Sequence, residues 1–107
     1  MKKDNYFEKV YFVTKSIPRG RVTNYGAIAN HLSLGSARMV GWALRHCPMF
    51  GGEIPAHRVV NRKGELSGRN AFPTPDLMQQ LLEKEGIVVE NNKVKNFAQI
   101  FWQPEEP

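Results

Sequence analysis

The sequence predicts a mostly α fold, a winged helix-turn-helix arrangement with small β-hairpin wings. Three observations predict it. Apolar residues recur at helical spacing in four segments. Two of these are short helices joined by a tight, glycine-containing turn. Beyond them, short β-branched runs are interrupted by Asn/Gly turns. At 107 residues the chain makes one domain, 1–107, around one modest core.

The first helix runs from Asp4, a candidate cap, to about residue 16. Phe7, Val10, Tyr11 and Thr14 form one apolar stripe, and Tyr6, Val10, Val13 and Ile17 a second. Pro18 and Gly20 turn the chain. Thr23 is the expected N-cap of a short helix holding Ala27, Ile28 and Leu32, and Gly35 is expected to break it. Ser36 caps a third helix with Val40, Ala43 and Leu44 on one side and Arg38 and Arg45 turned elsewhere. Trp42 is expected to pack inside, and Gly41 to allow a close approach. Pro48 stops this helix.

A Gly/Pro-rich loop follows over 49–57. His57-Arg58-Val59-Val60 and Glu65-Leu66 flank the turn Asn61-Arg62-Lys63-Gly64, the pattern of a small hairpin or wing. Residues 67–75 read as loop. Pro75 and Asp76 start a helix with Leu77, Met78, Leu81 and Leu82 facing inward, closed by Gly86. Val88-Val89, the Asn91-Asn92 turn and Val94 form a second hairpin. Phe97, Ile100, Phe101 and Trp102 are expected to fold back on the body, since an exposed run of that kind invites association.

Charge is distributed unevenly. The net charge is +5 and the isoelectric point near 9.6. Up to Arg69 there are 12 basic and 4 acidic residues; beyond it, 3 basic and 6 acidic. A basic body with an acidic end suits a polyanion approached from one side. No apolar run reaches the ~20 residues of a membrane span, and no apolar leader opens the sequence. The single cysteine, Cys47, cannot form an internal disulfide, which fits a reducing, cytoplasmic setting. His31, His46 and Cys47 lack a fourth ligand and the usual zinc spacing, so neither a metal nor another cofactor is predicted.

The stretch Ile54-Pro55-Ala56-His57-Arg58-Val59-Val60 resembles the Pro-Cys-His-Arg-Val motif of the O6-alkylguanine-DNA alkyltransferases. Gly20–Ala29 looks like that family's first DNA-reading helix, Ser36–Arg45 like its recognition helix, and Leu81–Gly86 like its closing helix. The likeness runs in order over most of residues 6–87. It implies a DNA-binding domain whose recognition helix enters the minor groove and whose substrate base is turned out of the stack.

Transfer of an alkyl group needs a nucleophile, in this family a thiolate supported by His and Glu. His57 and Glu85 match the supporting pair, but Ala56 stands where the cysteine would be. A methyl side chain has no lone pair and cannot accept an alkyl group. Cys47, where the family carries asparagine, reads as a small buried hydrophobe. Ser67-Gly68-Arg69 replaces the family's Ser-Gly-Gly, and an arginine at that place is typical of the non-catalytic alkyltransferase-like proteins. Those commonly carry Trp where this chain has Ala56, so the pocket here is expected to be wider.

The resemblance implies roles for single residues. Arg38 fills the gap left by the extruded nucleotide, by stacking and pairing. Tyr25 crowds the 3′ phosphate and helps rotate the base. Ser36, Ala37 and Gly41 meet DNA with them. Ala56, Pro55, Ser67, Tyr25 and Arg69 line the lesion pocket, with Arg69 as its lid. His57 is expected to reach Glu85 through water, and Arg58 to tie the loop to the helices. The expected function is a damage sensor, not an enzyme. It binds O6-alkylguanine in double-stranded DNA as a monomer, without transfer, and marks it for nucleotide excision repair proteins. The alternatives are a transferase or hydrolase with another nucleophile, and a plain winged-helix transcription regulator.

Overall fold

The computed structural model describes residues 3–47 and 53–104, with side chains in the first helix from Tyr6 onward. Helix α1 spans Lys3–Lys15, so Asp4 lies inside its first turn and not before it. Its apolar stripes bury Val10, Val13 and, just past the helix, Ile17. The Tyr11 hydroxyl donates to the Ala43 carbonyl at 2.7 Å, and the Tyr6 hydroxyl to that of Met39. Two phenols thus fasten α1 to the third helix.

After the turn at Gly20, with φ of +83°, comes the two-residue strand β1, Thr23–Asn24, and then helix α2, Tyr25–His31. Thr23 is not the cap. It is a wholly buried strand residue, and the cap falls to Asn24, whose Oδ1 accepts the Ala27 N–H at 2.7 Å. The α2–α3 turn is made by Ser33, at φ 58°, ahead of Gly35. Helix α3 spans Ala37–Arg45, with Ser36 at the cap position but making no side-chain cap bond. Pro48 and residues 49–52 lie outside the described residues.

Ala56–Arg58 form a 3₁₀ turn, and Val59–Val60 form strand β2. The expected hairpin through residues 61–64 is only half right. The turn exists: the Gly64 N–H donates to the Asn61 carbonyl at 2.9 Å and the Asn61 N–H to that of Glu65 at 3.0 Å. But β2 pairs with β1, in parallel, Thr23 opposite Val59 and Asn24 opposite Val60. Both valines are fully buried, and a strand covered on both faces suits a parallel interior partner. Glu65 instead bridges to Lys93.

Helix α4, Leu77–Lys84, buries Met78 and Leu82 completely, while Leu77 and Leu81 are half-buried. Gly86 closes it at φ +85°. Strands β3, Val89–Glu90, and β4, Lys93–Val94, form the antiparallel hairpin that the Asn91-Asn92 pair predicts. Both asparagines are left-handed, at φ 54° and 60°, as a two-residue turn requires. A last short helix, α5, spans Phe97–Ile100. The tail then docks on the residue before β1: Val22 exchanges hydrogen bonds with Ile100 and Trp102, and Trp102 is buried.

Candidate nucleic-acid interface

Helix α3 has two faces. Val40, Ala43 and Leu44 are buried against α1 and α2. Arg38, Gly41, Trp42 and Arg45, at i, i+3, i+4 and i+7, share the other face. All four border a cavity of about 440 Å³, within the range of small-molecule sites. Its buried walls are apolar: Leu44, Ala56, Phe72 and Met78. Its exposed members include two cations and an indole, Arg38, Arg45 and Trp42, beside the small Ala37 and Ser67. The cavity is therefore an apolar pocket opening beside a basic helix face.

Of the residues singled out in the sequence, the structure brings Tyr25, Ala37, Arg38, Gly41, Ala56 and Ser67 into these walls. Ser36 is exposed at the head of α3, outside them. Pro55 is buried and borders a different, more polar hollow with His57, Arg58 and Glu85. Arg69 is half-buried and donates from Nη1 to the Leu66 carbonyl at 3.0 Å. Trp42, expected inside, is 51% exposed. The core side of α3 is already filled by Val40, Ala43 and Leu44, and Trp42 stands with the arginines. Trp42, Arg45, Gly68, Phe72 and Met78 were not foreseen as walls. For Trp42 and Arg45 the signal was present in their spacing from Arg38.

Tyr25, first residue of α2, sets its phenol into the same cavity. Burial raises the pKa of this phenol, against Ser67 and Arg45, which favour the charged form. It therefore stays a neutral hydroxyl at physiological pH.

Where the 3₁₀ turn that carries Ala56 meets the end of α4, three charged or polar side chains come together. His57 Nε2 lies 2.7 Å from Glu85 Oε2, a direct bond where a water bridge was expected. Arg58 Nε lies 3.1 and 3.0 Å from the two Glu85 oxygens, and its Nη1 donates to the Ile17 carbonyl at 2.7 Å. The Gly20 N–H completes the set, donating to Glu85 Oε1 at 2.8 Å. Burial disfavours the carboxylate, but the bonds from Arg58, Gly20 and His57 outweigh it and hold the Glu85 pKa at about 2. Burial lowers the pKa of His57 despite Glu85. The imidazole is then neutral, its proton on Nε2 toward the carboxylate. Nδ1 is a buried lone pair that meets no partner among the described residues.

Ala56, next to His57 in the chain, is 6% exposed and lines the cavity beside α3. It can neither attack carbon nor bind a metal. Cys47 is buried at the end of α3 and is not a wall of the cavity. The His57–Glu85 pair is present, and position 56 beside it in the chain carries no nucleophile.

Fold and site together define a winged helix-turn-helix nucleic-acid-binding domain with a largely apolar pocket that has the Ala56 methyl in its wall. The chain belongs to the family described as 6-O-methylguanine DNA methyltransferase, DNA binding domain, which matches residues 5–87. It is 32% identical over 109 residues to alkyltransferase-like protein 1 of Schizosaccharomyces pombe, covering 97% of this chain and all of that one. It is 36% identical over 104 residues to the DNA base-flipping protein of Escherichia coli, covering 94% of this chain and 77% of that protein. The crystal structure of S. pombe Atl1 in complex with damaged DNA containing O6-carboxymethylguanine superposes with a TM-score of 0.83, at 33% identity, over 97% of this chain and all of that one.

Proposed function

We propose that this chain is a non-catalytic sensor of O6-alkylguanine in double-stranded DNA. The O6 substituent projects into the major groove, so a protein reading from the minor groove reaches it only after the nucleotide is extruded. Extrusion costs a few kcal/mol of stacking and pairing, which contacts inside a pocket repay. One observation carries the reading: the pocket beside α3 has the Ala56 methyl where the family's motif has its nucleophile. The names of its relatives, an alkyltransferase-like protein and a base-flipping protein, support it.

In this reading Arg38 enters the stack in place of the extruded nucleotide, and Ser36, Ala37 and Gly41 form the surface that meets the backbone. Tyr25, Ala56 and Ser67 surround the base. A lid role for Arg69 requires its guanidinium to leave the Leu66 carbonyl, and a wall role for Pro55 requires the 3₁₀ turn to shift. The chain acts as one domain over 1–107 and as a monomer in the cytoplasm. The complex it forms flags the site for nucleotide excision repair.

The test is a binding titration with one duplex sequence carrying guanine, O6-methylguanine or a bulkier O6-alkylguanine. Preference for the modified duplexes is the expected result. Equal affinity for all three reduces the protein to a general DNA-binding module.

A further inference from the structure

Trp42 is a large apolar side chain, 51% exposed, on the helix face that borders the cavity. It does not stand alone. Its ring lies 5.2 Å from that of His46, which stacks on Phe7 at 5.7 Å. His46 Nδ1 is 2.8 Å from the Trp42 carbonyl. The indole is thus braced from behind by a second ring while half its surface is left to solvent. Arg38 and Arg45 lie one turn to either side of it and carry positive charge on the same face.

An exposed aromatic between two arginines is the pattern of single-stranded nucleic-acid binding, in which rings receive bases and cations receive phosphates. Inside a duplex each base has both faces covered by its neighbours. An indole outside the stack meets a base face only where a nucleotide has left the helix. The cavity is where such a nucleotide arrives, and Trp42 stands at its exposed side.

We propose that Trp42 is a base-stacking residue of this interface, its indole receiving the flat face of the everted, modified purine. The inference rests on the proposed function, since it needs an extruded nucleotide. Trp42 then contributes to discrimination between modified and unmodified DNA, because an unmodified base stays in the helix and offers it no face. Arg45 contacts the phosphate beside the extruded nucleotide.

The experiment compares the unaltered protein, Trp42→Ala and Trp42→Phe on duplexes carrying guanine or O6-methylguanine at one position, with thermal melting to check that each variant folds. Trp42→Ala should lose on the order of tenfold in affinity for the modified duplex and little for the unmodified one. Trp42→Phe, which keeps a π face, should recover to within about threefold. Indole emission should be quenched by the modified duplex in the unaltered protein and far less in Trp42→Phe, where the buried Trp102 is the remaining indole. Equal loss on both duplexes, or none, would overturn the stacking role while leaving the sensor reading intact. No preference for the modified duplex in the unaltered protein would overturn both.

Discussion

Gly68 leaves the space that the Tyr25 hydroxyl fills: a Cβ at position 68 would stand 2.6 Å from that oxygen and 4.0 Å from the ring carbon behind it. The backbone at Gly68, φ −91° and ψ 6°, is open to any residue. The missing side chain therefore serves Tyr25 and the cavity wall, not a turn. Gly68→Ala should cost about 1–3 kcal/mol through overpacking and weaken binding of modified DNA by displacing the phenol. Adding Tyr25→Phe removes the clashing atom and leaves an ordinary contact. Urea unfolding of the double variant should recover most of the lost stability; a double variant as unstable as Gly68→Ala would separate the two residues.

Acid should weaken the fold in two stages. His57 titrates lower in the folded chain than its ordinary 6.5, so below that pH the unfolded chain takes up a proton that the folded one refuses. Its contribution is complete above about 6.5 and falls away below it. Glu85 has a folded pKa of about 2 against an ordinary 4.5; its contribution is present above 4.5 and is lost as pH falls toward 2. Glu85→Gln should flatten the lower stage and destabilise the protein at neutral pH by on the order of 3 kcal/mol, because Arg58 keeps its charge without a partner carboxylate. Melting temperature against pH for the unaltered protein and Glu85→Gln checks both.

A methyl group at Gly41 meets nothing within 4 Å. Gly41→Ala in the middle of α3 should leave stability unchanged or raise it by up to about 1 kcal/mol. If DNA comes close to this helix backbone, the same substitution should lower affinity severalfold for modified and unmodified duplex alike. A melt and a titration on one preparation separate the two effects.

Arg38 and Arg45 should differ in kind. Arg38→Ala is expected to reduce discrimination between modified and unmodified duplex more than it reduces general affinity. Arg45→Ala should weaken both equally and lower the slope of log affinity against log salt by about one. Equal loss on both duplexes with Arg38→Ala makes it a phosphate contact only.

The helices were legible because their evidence is local. Val10 and Thr14, or Met78 and Leu82, lie one turn apart in sequence and in space, and Gly20, Gly86 and the Asn91-Asn92 pair sit where left-handed backbone is needed. The parallel pairing of Val59–Val60 with Thr23–Asn24 was not legible. Two buried valines state that a partner exists, but not which one, and the nearby Asn61–Gly64 turn pointed to the wrong neighbour. Thr23 and Asn24 are both good caps, and only the strand pairing decides between them. In the site, Ala56, Tyr25 and Arg38 were placed through motif order. Trp42 was misjudged because a tryptophan's size suggests the core, whereas its spacing from Arg38 and Arg45 marked the outer face. The direct bond from His57 to Glu85 depends on how closely α4 approaches the 3₁₀ turn, which no spacing in the chain encodes.

The intact mass of the protein after saturation with O6-methylguanine duplex, read together with the modified purine recovered from that DNA, tests most directly whether the lesion is held without being repaired. An unchanged protein mass with full recovery of O6-methylguanine is expected. A protein heavier by one methyl group, or loss of the modified base with turnover, would contradict it.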